Sequence, residues 1–278
     1  MPGESVFSTF LVVFREALEA GLILGIILTV LSRLNAQKYF WRVWASAILA
    51  AAASLGVGGW LAGMAESSQE TMQEIIEGVI SLAACGVLTY MFFWMERQSR
   101  RIKSEIETKI ESAITAKDCM ALVSLPFFAV LREGAETVLF LKAVSIQSGG
   151  AVSWAGGLSG LGVAALISVL IFSGGKKIPL KPLFRYTGAF ILLIAAGLLA
   201  YGVHELEEAG FIPPLIEPVY NINPILNEKE GMGSFLKAIF GYNGNPSLTE
   251  TVVYWSYFLT MAGCFFRSSR ISKASVSR

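Results

Sequence analysis

Seven stretches of this sequence, approximately 6–31, 43–64, 75–95, 120–145, 151–173, 186–204 and 250–266, are mostly apolar over a bilayer-crossing length. A membrane-spanning helix needs roughly 20 such residues. The reading is an all-α polytopic membrane protein with seven transmembrane helices. Composition agrees: 54% of the 278 residues are hydrophobic and only 15% charged, against about a quarter charged in soluble domains. The net charge of +1 provides no basic field for nucleic acid. The first stretch lacks a basic leader, is long and is interrupted by charges, so it reads poorly as a cleavable signal peptide. Cys85, Cys119 and Cys264 are scattered in or beside spans without a CxxC pair. They read as small buried apolar residues, with no disulfide or metal framework implied.

Lysine and arginine set the orientation. Arg33, Lys38 and Arg42 lie between spans one and two, and Arg97, Arg100, Arg101, Lys103, Lys109 and Lys117 between three and four. Lys176, Lys177, Lys181 and Arg185 lie between five and six, and Arg267, Arg270, Lys273 and Arg278 in the tail. The alternate connections hold only Lys229 and Lys237. The positive-inside rule makes the basic connections cytoplasmic, so the N-terminus is outside and the C-terminus inside.

Span one contains FLVVFREALEAGLIL and span four FFAVLREGAETVLFL. Aligned, they match at Phe10 and Phe127, Val13 and Val130, Arg15 and Arg132, Glu16 and Glu133, Glu19 and Glu136, and Leu22 and Leu139. Span one runs inward and span four outward, so the RExxE motif occurs in both directions. This predicts a 3+3 inverted repeat plus one extra helix, within a single membrane domain covering 1–278. Residues 1–95 form repeat one, 96–118 a cytoplasmic amphipathic linker and 119–209 repeat two. Residues 210–249 form an outer loop, and 250–278 span seven and its tail. Inverted-repeat transporters place their substrate near the midplane, where the halves meet.

Each charge at the bilayer centre costs about 2.5 kcal/mol or more, so six without partners would cost on the order of 15 kcal/mol. These side chains must face the interior and one another. Glu16 and Glu19 share a helix face, as do Glu133 and Glu136, and each arginine lies one turn from the second glutamate of its motif. Four carboxylates against two guanidinium groups leave a formal charge of −2. The surplus oxygen suits a hard cation, with Glu16, Glu19, Glu133 and Glu136 as ligands and Arg15 and Arg132 as supports. Interhelical glue explains a single such pair; it explains two copies of the same pattern, each with an extra glutamate, less well.

The outer face adds a candidate second metal site: Glu74 and Glu77 at the start of span three, and His204 with Glu205, Glu207 and Glu208 at the end of span six. With one histidine in the chain, a Glu-x-x-His di-iron centre or a bis-histidine haem is hard to build. Ile102, Ile106, Ile110 and Ile114 recur every fourth residue in the linker. They predict an amphipathic helix on the inner leaflet or against the bundle. Five prolines break the outer loop, and SFLKAIFGY (Ser234 to Tyr242) reads as a short helix over the mouth.

The paired motifs, with EGVISLAACGVLTYMFFWM, AAGLLAYGVHELEEAG and FGYNGNPSL, resemble the oxidase-dependent iron transporter family, which includes fungal high-affinity iron permeases and bacterial EfeU-type permeases. The resemblance implies iron import, with iron as the transported substrate, the motif glutamates handling it, and no bound organic cofactor. It implies residence in a bacterial inner (plasma) membrane. It also implies partners: a periplasmic cupredoxin-like protein and a haem peroxidase, or a multicopper oxidase in fungal relatives. Manganese or lead as cargo, and a membrane redox subunit handling iron, stand as alternatives. The main expectation is a permease and not an enzyme.

Overall fold

The computed structural model describes residues 4–66, 70–98, 102–116, 118–147, 152–173, 180–228 and 231–274. Of the orientation residues, Arg100, Arg101, Lys117, Lys176, Lys177, Lys229 and Arg278 lie outside these. The described residues contain helices and connections, with no strand. In chain order the helices are α1 (Glu4–Arg33), α2 (Phe40–Glu66), α3 (Glu70–Gln98), α4 (Ile102–Thr115), α5 (Cys119–Gln147), α6 (Trp154–Ser173), α7 (Leu180–Glu208), α8 (Gly231–Phe240) and α9 (Leu248–Ala274). All except α4 and α8 are 20 to 30 residues long. At about 1.5 Å per residue, that length matches the bilayer core.

Among the described residues, four helices are both long and apolar enough to cross a membrane, through Gln37–Trp60, Thr71–Met95, Trp154–Phe172 and Tyr186–Glu208. In α1 and α5 the charges of the motifs count against that measure. α9 is diluted by threonine, serine, tyrosine and tryptophan.

The helix ends are written in local sequence. Asp118 Oδ1 accepts from the N–H groups of Met120 and Ala121 and starts α5. Ser153 Oγ accepts from Gly156 N at the start of α6. Ser247 and Glu250 form a reciprocal capping box for α9: Glu250 N donates to Ser247 Oγ at 3.1 Å, and Ser247 N donates to Glu250 Oε1 at 3.0 Å. α7 closes on Gly210 at φ 76°. There Phe211 N bonds Leu206 O and Gly210 N bonds Glu207 O, the Schellman pattern that needs a left-handed residue.

α1, α3, α5 and α7 supply the central core, where Val12, Leu88, Phe140, Val144, Ile191 and Leu198 are buried together. α2 packs on α5, α6 on α1, and α9 on α7. α1 and α6 run in the same direction, because Gly156 lies against the backbone of Val6 while Ser168 and Phe172 lie against Gly21 and Gly25. α2 and α5 also run together: Ser54 meets Gly134, and Gly58 meets Val138. α3 and α7 are antiparallel, with Gly78 against Leu206 and Phe92 against Gly188. The outer faces of α2 and α6 expose Trp41, Trp44, Ile48, Leu55, Leu158 and Leu166. A belt of this kind is unfavourable in water and suits lipid.

Two short helices cover the ends of the α1–α5 seam. α4 packs on α1 and α5 at one end. Its Ile106 and Ile110 are buried against Ile27, Leu31, Val43 and Leu122, so of the two expected settings it takes the one against the bundle. α8 contacts α1, α5 and α7 at the other end. It occupies 231–240, where the sequence suggests 234–242, because Gly241 takes φ 67° and ends it.

Candidate metal-handling site

The motif residues sit at mid-length of α1 and α5, which pack directly on each other. Arg15, Glu16, Glu19 and Glu133 are all buried. Arg15 Nη1 donates to Glu16 Oε1 at 2.9 Å, and its Nε lies 3.2 Å from Glu19 Oε1. On α5, Arg132 pairs with Glu133, and its Nε lies 3.6 Å from Glu136 Oε1. Each arginine therefore braces both glutamates of its own motif. One carboxylate oxygen each from Glu16, Glu19 and Glu133 lies within 4.8 Å of the others. α1 and α5 thus bring three acids to one point.

The arginines leave oxygen capacity unused. Glu16 Oε2, Glu133 Oε2 and Glu136 Oε2 are buried without a hydrogen-bond partner. Leaving such atoms unsatisfied costs about 1–3 kcal/mol each, and more when charged. Two guanidinium groups thus fix the positions of the acids without saturating them. That arrangement can accept a cation among preorganised oxygens.

The two motifs differ in setting. The Arg15 side chain is 4% exposed and that of Arg132 41%. Arg132 also lies over the Trp94 ring of α3, 4.7 Å from its centroid. Trp94 has no motif signal of its own in the sequence.

The candidate outer residues fall into two groups. Tyr201 Oη donates to Glu77 Oε2 at 3.4 Å and also hydrogen-bonds Glu205, joining α3 to α7. Glu74 is half-buried one turn before Glu77. His204 sits elsewhere: its Nε2 is 3.5 Å from Glu208 Oε1 and its Nδ1 is 3.1 Å from Glu250 Oε1. Glu207 and Glu250 join His204 in a second group of ligating atoms; the sequence points to Glu207 but not to Glu250. The Ser247-x-x-Glu250 pattern marks Glu250 as the start of a helix. Nothing local links it to a histidine 46 positions earlier.

A helical bundle with a lipid-suited belt and an arginine-braced carboxylate cluster inside defines a class: membrane proteins built to hold or pass a cation. Comparison with known proteins narrows it. The chain belongs to the Iron permease FTR1 family, which it matches over residues 6–269. It is 35% identical over 273 residues to the "Ferrous iron permease EfeU" of Yersinia pseudotuberculosis, covering 98% of this chain and 96% of that protein. The protein of the same name from Escherichia coli is 34% identical over 275 residues, covering 98% and 99%. That of Shigella sonnei is 34% identical over 256 residues, covering 91% and 93%. No solved structure matches. The chain is an integral protein of the bacterial inner membrane.

Proposed function

We propose that this chain imports iron, with Glu16, Glu19, Glu133 and Glu136 as carboxylate ligands at the midplane and Arg15 and Arg132 as their supports. One observation carries the proposal: three acids from two antiparallel helices converge within 4.8 Å, and oxygens of Glu16 and Glu133 lack partners. Family membership and the names of the relatives support iron as the cargo. The charge balance supports the ferrous ion, because the −2 of four glutamates and two arginines is neutralised by one divalent cation. A trivalent ion would leave a positive charge in low dielectric, which is unfavourable.

The proposed topology is seven spans, N-terminus outside and C-terminus inside, built as an inverted repeat of α1–α3 and α5–α7 with α9 added. The packing pairs support it. Exchanging the halves turns the parallel α1–α6 contact into the parallel α2–α5 contact, and maps the α1–α5 and α3–α7 contacts onto themselves. Periplasmic partners of the cupredoxin-like and haem-peroxidase kinds, expected from resemblance alone, would meet the outer segment after α7, where Phe211, Leu215, Ile216 and Ile225 are exposed.

The test is uptake into proteoliposomes containing only this chain. Iron is supplied as Fe2+ with reductant or as Fe3+ citrate, with and without a proton gradient. Fe2+ uptake is expected, and Glu16→Gln or Glu133→Gln should lower it at least tenfold. Wild-type uptake rates in both variants would sink the ligand assignment.

A further inference from the structure

A second group of ligating side chains lies where α7 and α9 meet beneath the segment joining α8 to α9. The imidazole of His204 and one oxygen each from Glu207 and Glu250 lie within 4.8 Å of one another. His204 and Glu250 border a cavity of about 610 Å³, lined also by Asn223, Glu228 and Tyr242 of the outer segment.

Helix capping accounts for part of this arrangement. Glu250 completes the capping box of α9, and Asn243 Nδ2 donates to its Oε2 at 2.8 Å. Capping does not account for Glu207, which is more than nine-tenths buried with its Oε1 unpartnered. Nor does it account for Gln147 at the end of α5. Gln147 is 1% exposed and lines the same cavity, and neither its carboxamide oxygen nor its nitrogen has a partner. An unpaired carboxylate within reach of His204 and Glu250, and an unpaired carboxamide on the wall of the cavity those two border, call for a ligand that takes oxygen donors.

We propose that His204, Glu207 and Glu250 form a second metal site, at the foot of the outer cavity, for a divalent transition-metal cation. Ligands about 2.1 Å from one ion stand about 3 Å apart when adjacent and about 4.2 Å when opposite. The 3.1 Å from His204 Nδ1 to Glu250 Oε1 already fits adjacent ligands. The group's 4.8 Å limit exceeds the opposite-ligand distance by about 0.6 Å, a gap that side-chain movement of less than about 1 Å closes. One imidazole with two carboxylates favours ferrous, manganous or zinc ions over calcium or magnesium, which prefer oxygen alone. Ser247 N and Asn243 hold the Glu250 carboxylate from behind, as outer partners hold a metal ligand. The midplane cluster is all oxygen. A cation passing from one to the other would exchange a nitrogen ligand for oxygen. That place on an import path rests on the permease reading, but the site itself does not.

The chain has a single histidine, so any imidazole bound to metal in the untagged protein is His204. The experiment titrates Mn2+, a paramagnetic stand-in for Fe2+, into the full chain purified without a histidine tag. Pulsed EPR then reads nitrogen coupling. One imidazole nitrogen coupling is expected in the wild type and in Glu16→Gln/Glu133→Gln. Glu207→Gln and Glu250→Gln should each weaken Mn2+ binding at that site at least tenfold. Glutamine also completes a capping box, so Glu250→Gln keeps the helix start, and circular dichroism checks this. Absence of imidazole coupling at saturating Mn2+ overturns the site, as does coupling of unchanged affinity in both variants. Coupling without transport in proteoliposomes would support this site while removing the permease reading. Transport without coupling would do the reverse.

Discussion

Arg15 and Arg132 occupy the same position in two copies of one motif, yet the structure gives them different work. Arg15 is enclosed with Glu16 and Glu19 and is their cationic partner. Removing one member of a buried pair costs about 3–5 kcal/mol, because a charge is left uncompensated. Arg15→Ala should therefore lower thermal stability sharply, measured by circular dichroism in detergent. Arg132→Ala should cost clearly less, because its side chain is 41% exposed. Arg132→Lys should not restore wild-type behaviour, since lysine lacks the planar face that lies over Trp94. Equal losses from the two alanine variants would contradict this asymmetry. The motif glutamates and arginines are legible in sequence because charge in a lipid-length segment is expensive and demands a reason. The asymmetry is not legible, because it depends on what α3 brings against α5, and three identical letters cannot encode a neighbour. Glu207 is one of several candidate acids in HELEEAG, and only packing shows that it is the one buried with an unpartnered oxygen.

At the scale of elements, α6 shows how helix approach is set by single atoms. A Cβ on Gly156 would run into Val6 O of α1, and one on Gly160 would lie 2.8 Å from Phe10 O. Backbone cannot yield as a flexible side chain can. Gly156→Ala and Gly160→Ala should each cost about 1–3 kcal/mol by overpacking and should push α6 away from the motif helix. Gly162 on the same helix faces open space. Gly162→Ala should be neutral, or stabilising by up to about 1 kcal/mol through helix propensity. Thermal unfolding of the three variants side by side checks this, and equal effects would mean that α6 does not need its close approach to α1. The spacing of Gly156 and Gly160 is visible in sequence, but not the helix they face. The four-residue isoleucine rhythm of α4 likewise fixes its buried stripe. It does not choose between lipid and bundle, since both are apolar. The long helices are found at once from hydropathy. Their ends differ from those of the apolar runs because caps such as Asp118, Ser153 and Gly210, and not the loss of hydrophobicity, decide where a helix starts and stops.

At the scale of the whole molecule, the α1–α5 seam that carries the motifs is covered at both ends, by α4 on one side and α8 on the other. The cover at the α4 end is apolar, built from Ile106, Ile110, Leu31 and Leu122. At the other end lies a polar cavity lined by acids and amides. That contrast suits import, with cations gathered on one face and held back from the other by a dry plug. The direction depends on which end faces the cytoplasm, which a native thiol can report. Of the three cysteines expected to be buried, only Cys85 is; Cys264 is half-buried, and Cys119 is exposed where α4 turns into α5. Trp154 is exposed at the opposite end, beside Ser153, whose N–H donates to Thr9 Oγ1 near the start of α1. With Cys85 and Cys264 replaced by alanine, a membrane-impermeant maleimide should label Cys119 in inside-out vesicles and spare it in right-side-out ones. In a Cys119→Ala background, Trp154→Cys should show the reverse. Both expectations follow from the basic residues Arg33, Lys38 and Arg42 at the α4 end. Labelling of Cys119 from outside would invert the topology. It would put the acid-lined cavity in the cytoplasm and turn the same architecture into an exporter.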